Sequence, residues 1–179
     1  MKTTIDPYWL SEFRQRMSDF SPTDHEDALA VSIKLKVESG CFCKSCCPEG
    51  HREMSKYLHW PPEALKGVKV VEHESGPEIL TYMSLAGGVF SFAAAVISLI
   101  VAIIQARNEG VRRGDKRGHP FKLIVRRLDD KDGFKEDILL EIPPDADVDA
   151  EKISACLLSY AKATAKSSQP KSKKRSKKD

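Results

Sequence analysis

From Ile79 to Ala106 the chain runs for 28 residues without an Asp, Glu, Lys, Arg or His, although 31% of its 179 residues are charged. Two environments accept such a run, the interior of a bilayer and the core of a fold. Within it, Leu85 to Ile104 hold eleven Leu, Ile, Val or Phe residues and only Ser91 and Ser98 as polar side chains. At roughly −0.3 to −0.6 kcal/mol each near mid-membrane, the eleven contribute several kcal/mol to insertion. As one helix the run would be about 42 Å long, against a hydrocarbon core of about 30 Å. A helix that long would overhang a small sheet, whose strands of six to eight residues span only about 20 to 27 Å. The expectation is a transmembrane helix over 79–106, with a buried helix lying on a sheet as the alternative.

The flanks set an orientation. Arg107, Arg112, Arg113, Lys116, Arg117 and Lys122 follow the run, against Lys66 and Lys69 before it. Basic residues near a span favour the cytoplasmic side, so a single-pass protein with its carboxyl-terminal side cytoplasmic is expected. Ser84, Gly87, Gly88, Ser91 and Ala95 recur at steps of three and four, a small-residue face through which two such helices could pair into a homo-oligomer.

Elsewhere the periodicities predict an α+β fold: short strands and a β-hairpin flanking the one long apolar helix, with a closing amphipathic helix. Residues 1–27 hold an amphipathic helix, with Trp9, Leu10, Phe13, Met17 and Phe20 at steps of three and four behind Asp6 and Pro7, then an acidic linker. Residues 28–77 read as strand, helix and strand around a cysteine-rich turn. In the first strand Leu29, Val31, Ile33, Leu35 and Val37 alternate with Ala30, Ser32, Lys34 and Lys36. The helix is expected over 49–59. A basic linker, 107–120, leads to the hairpin and helix of 121–165. There Asp132-Gly133 marks the turn, Asp145 or Asp147 is expected to cap the helix, and Ile153, Leu157, Tyr160 and Ala161 form its apolar stripe.

Residues 166–179 carry seven basic residues and one acidic one, so the rest of the chain is slightly acidic within a formal net charge of +3. Such a stretch buries nothing and reads as a solvated tail, able to touch anionic lipid headgroups and the only segment suited to nucleic acid. On the hairpin, Lys122, Arg126, Arg127 and Lys135 lie near Asp129, Asp130 and Asp137. That mixed surface suits a protein partner, an effector or a sensor, better than a nucleic-acid groove.

Cys41, Cys43, Cys46, Cys47 and His51 have the spacing C-x-C-x2-C-C-x3-H, and four such ligands could hold one structural zinc ion. Disulfides or free thiols fit the same residues, and Cys156 stands alone. His25-Glu26-Asp27 and His73-Glu74 read as charged turns. No nucleophile, phosphate-loop or dinucleotide motif is present, so no catalytic residue is assigned and a non-enzymatic protein is expected.

The layout from Leu29 to the closing helix resembles the effector-associated constant component family of bacterial conflict systems. The resemblance rests on Gly67 to Val71, the Gly87-Gly88 step, Arg112-Arg113, and Phe121 to Ile142 with its Asp132-Gly133 turn, and it spans roughly residues 28–165. It implies a non-catalytic, membrane-associated adaptor that tethers or couples an effector. A soluble accessory or nucleic-acid-binding domain with a buried apolar helix is the alternative.

Overall fold

The computed structural model describes residues 6–20, 28–38, 40–58, 67–86, 89–128, 133–144, 146–147 and 149–168. Its elements run α1 (Pro7–Phe20), β1 (Ala28–Val37), α2 (Pro48–Leu58), β2 (Lys69–Val71), β3 (Glu78–Ala86), β4 (Val89–Phe92), α3 (Ala94–Arg112), β5 (Phe121–Arg127), β6 (Lys135–Ile142) and α4 (Ala150–Ser168). The class is α+β. The strands form one antiparallel sheet in the order β2-β3-β1-β5-β6, with β4 pairing alongside β2 on the outer edge of β3.

The uncharged run is not one helix. Its first part is β3 and β4, a hairpin registering Met83 with Phe92 and Ser84 with Ser91, and only the remainder continues as α3. The physical reason lies in β1, whose Ala28–Lys34 stretch pairs residue by residue with β3, while the other edge of β3 takes β2 and β4. A strand held on both edges, and covered on both faces through its first half, needs no charge there. The overhang expected of a 28-residue helix does not arise, since α3 has 19 residues and a length of about 28 Å. The small residues proposed for helix pairing also separate: Ser84 is in β3, Ser91 in β4 and Ala95 in the first turn of α3, while Gly87 and Gly88 lie outside the described residues.

Strand β1 sits at the centre of the sheet because both its faces are buried. Val31, Ile33, Leu35 and Val37 point to the side covered by α3 and α4, packing with Leu99, Ile100, Ile103, Leu123, Val125 and Leu157 in the main core. Each large side chain there contributes about 1.5–3 kcal/mol on burial. The opposite face carries the polar residues of the alternation, yet Ser32 and Lys34 are buried too. Helix α1 lies across part of that face, its Phe13 and Met17 packed with Leu80, and Trp9 and Phe13 meeting the edge of Phe134 at 5.3 and 5.4 Å.

Helices α1 and α4 begin with ordinary side-chain caps, whereas α3 begins at Ala93 without one. Tyr8 N–H donates to Asp6 Oδ1 at 3.0 Å, as expected. Helix α4 is capped by Asp149, whose Oδ1 accepts from Glu151 N at 2.9 Å and Lys152 N at 3.0 Å, a residue closer to the helix than the acids expected to do this. The hairpin turn carries Gly133 at φ 72°, the left-handed conformation that glycine adopts freely. Residues 169–179 of the basic tail and the acids Asp129 and Asp130 lie outside the described residues.

Candidate functional site

The cysteine loop joins β1 to α2 and is pinned at three points. Phe42 is buried against the edge of Phe121 at 5.3 Å, and its N–H donates to Glu74 O at 2.7 Å. Beyond it, Cys46 N and Cys47 N donate to Cys43 O at 3.1 and 2.9 Å, closing a tight turn. The carboxylate of Asp115 then caps α2, accepting from Glu49 N at 3.1 Å and Gly50 N at 2.7 Å, where a negative charge also suits the helix dipole. With Phe42 anchored inward, Cys41 and Cys43 are left outside, and the turn brings Cys46 to them. The three sulfurs lie within 4.8 Å of one another, close enough to hold a metal ion.

Cys47 and His51 do not join this group. The Cys47 thiol donates to Cys41 O at 3.5 Å, and His51 Nε2 sits 3.1 Å from Glu72 Oε2. Cys156 is half-buried on α4. The Cys41 thiol hydrogen-bonds Cys43, which together with the N–H groups of Cys46 and Ser45 lowers Cys43 to about 7. The same bond holds Cys41 well above the usual thiol range. Beside the loop lies an open cleft of about 280 Å³ whose lining includes Cys43, Lys44, His51, Glu72, His73 and Glu74.

Comparison of the chain with protein-family models, with curated proteins and with solved structures finds no match.

From the lining of the cleft His73 reaches a buried ionic cluster that the sequence did not announce. Glu78, 1% exposed, accepts a 2.5 Å hydrogen bond from Ser32 Oγ, lies 2.8 Å from His73 Nε2 and 3.5 Å from Arg16 Nη2. Burial pushes its carboxyl up, but the bonds from Ser32 and His73 and the charge of Arg16 outweigh that and leave it below the ordinary value. Lys34, 3% exposed, donates to Gly76 O beside it. Burial lowers Lys34 from 10.5 to about 8, the Glu78 charge opposing the shift.

That depression has a pH signature. Between pH 8 and 10.5 an unfolded Lys34 keeps its proton while the folded one gives it up, so the folded state gains stability as pH rises through this window. The penalty is fully present below pH 8 and relieved by 10.5, a gain on the order of 3 kcal/mol. Urea midpoints of the wild type and Lys34→Met across this range should therefore converge as pH rises. Parallel curves would show that burial does not depress Lys34.

The basic residues expected to bind a partner are divided between two faces, and Lys122, Arg126 and Arg127 are engaged within the fold. The β1–β5 and β5–β6 registers put Lys122 and Arg126 on the α1 side of the sheet and Arg127 and Lys135 on the α4 side. Arg126 is 8% exposed, donates to Glu136 Oε2 at 2.6 Å and lies 5.0 Å over the Trp9 ring; Arg127 is 6% exposed beside Tyr160; Lys122 pairs with Glu38 at 2.6 Å. They do not form one exposed patch. The hairpin's exposed apolar residue is instead Ile138, 59% exposed on β6.

Proposed function

We propose that this chain is a non-catalytic accessory protein that couples a protein partner through its hairpin–helix unit, with α3 serving as the core of the fold. The observation that carries this reading is the position of β1 between β3 and β5. These two strands flank α3 in sequence and both hydrogen-bond to β1. A spanning α3 would set them on opposite sides of a hydrocarbon layer about 30 Å thick, where they could not share a neighbour. The element order from β1 to α4 supports a constant component of an effector system, the role implied by the resemblance. The zinc expected at the cysteine loop is, in this reading, a bound ion on an accessory protein and not the centre of a reaction.

For the partner surface, β6 is favoured. Among the described residues no strand pairs with its outer edge, so its free backbone groups and the exposed Ile138 suit a partner strand. A photo-crosslinking residue at Ile138 should give a discrete protein adduct in cells, and the same residue at Lys162 on the outer face of α4 should not. Equal labelling from both positions would remove β6 from the proposal.

A second reading keeps the chain at a membrane, single-pass with its carboxyl-terminal side cytoplasmic. It is favoured by α3 itself, which is long and apolar enough to cross a bilayer, although half of it is buried in the fold. Alkaline carbonate extraction separates the two. Release of the intact chain to the supernatant is expected, and retention in the pellet would favour the span.

A further inference from the structure

The cysteine loop has a geometry that neither the docking role nor the fold explains. The loop is already pinned by Phe42 and Asp115 without its thiols, yet three of them converge on one point at the protein surface. We propose that Cys41, Cys43 and Cys46 form a three-thiolate site for an exchangeable thiophilic ion of the zinc type, with one coordination position left to an outside ligand.

The distances fit. With no edge of the sulfur triangle longer than 4.8 Å, an ion at its centre lies at most about 2.8 Å from each corner, no more than half an ångström beyond a Zn–S bond of ~2.3 Å. Small rotations of three surface side chains close that gap. The donor set selects the ion, since sulfur without a carboxylate favours zinc, cadmium or cuprous ions over magnesium and calcium. On binding, each protonated thiol releases its proton to solvent as its sulfur bonds the metal.

The coordination number follows from what the neighbours do. The Cys47 thiol is engaged with Cys41 O, and His51 is held by Glu72, so the two further donors foreseen for a closed four-ligand site are turned to other partners. The fourth position is thereby open, beside the cleft that His51, Glu72 and His73 help to line. The lability follows from the sequence span. Closed structural zinc sites staple separate elements, whereas these three ligands lie within six consecutive residues and cross-link nothing else. An unfolded chain presents the same six residues, so binding to it offsets much of the stabilisation that a metal gives to the folded state.

Cadmium titration of the reduced full-length protein, followed by thiolate-to-metal charge-transfer absorption, tests this. One ion per chain is expected, with affinity falling at least tenfold in Cys43→Ser and in Cys46→Ser and changing less than twofold in Cys47→Ser, His51→Ala and Cys156→Ser. Removing the ion with a chelator should shift the thermal midpoint of the wild type little and leave its far-ultraviolet dichroism unchanged. Charge-transfer absorption that survives Cys43→Ser with Cys46→Ser would overturn the assignment. So would a loss in Cys47→Ser or His51→Ala equal to that in Cys43→Ser, which would define a closed four-ligand site, or unfolding on chelation, which would make the ion structural.

Discussion

Glu78→Gln is expected to cost about 3–5 kcal/mol of stability at neutral pH, the range seen when one partner of a buried ionic cluster is neutralised in place. The glutamine retains an oxygen to accept from Ser32, so the loss isolates the charge. What it removes is the counter-charge of a nearly inaccessible Lys34 and the anchor of Arg16, which ties α1 to the sheet. Urea unfolding at pH 7 measures the cost. The double variant Lys34→Met/Glu78→Gln should recover part of it, giving a coupling of 0.5–3 kcal/mol, typical of residues that share a network. A cost under about 1 kcal/mol, or strict additivity in the double variant, would mean that the cluster is solvated in the native protein.

Gly110→Ala is expected to be nearly as severe, about 3 kcal/mol or more, from a single added methyl group. Gly110 lies where α3 crosses α2, and a Cβ there would fall 2.5 Å from both Gly50 Cα and Asp115 Oδ2, distances real Cβ atoms do not show. Backbone cannot yield as a side chain can, so α2 must move and its cap with it. The cysteine loop, held from below by that cap, should loosen. Gly50→Ala is the internal comparison, because its Cβ would meet Ala106 O, Asp115 Oδ2 and the Phe42 ring at 3.3 Å, tight but tolerable. Thermal midpoints of the two variants check this, and equal values would contradict a backbone-to-backbone crossing.

Where one face of an element is wet, the sequence was legible. Phe13 and Met17 on α1, Ile153, Leu157, Tyr160 and Ala161 on α4, and the hairpin around Gly133 all stand where their periodicities place them. The run from Ile79 to Ala106 was not, because absence of charge reports withdrawal from water and not what replaces it. In β3 the consecutive residues Glu78, Ile79, Leu80 and Thr81 are all buried, so over this stretch no alternation separates a doubly covered strand from a helix. The pair Gly87-Gly88 was counted as a helix-packing face, whereas the elements on either side are β3 and β4. The cysteine spacing gave the metal hypothesis but not its membership, which depends on Glu72 turning His51 aside and on the local turn engaging Cys47. Glu78 was hidden for a related reason: a lone acid at the mouth of an apolar run carries no local sign that Lys34, 44 positions earlier, lies opposite it.

The central place of β1 also sets a timetable for the chain's birth. Val37 pairs with Phe121, 84 residues later, so a ribosome adding about 5–20 residues per second needs roughly 4–17 s to deliver the second neighbour of β1. Ile79 is added 42 residues after Val37 and Ala106 15 residues before Phe121, so the uncharged segment is made within that interval, ahead of the strands that complete its cover. Targeting factors and chaperones that read nascent apolar stretches meet it first as something resembling a membrane anchor. The competition between capture by that machinery and closure of β5 onto β1 is therefore decided before the native surface exists.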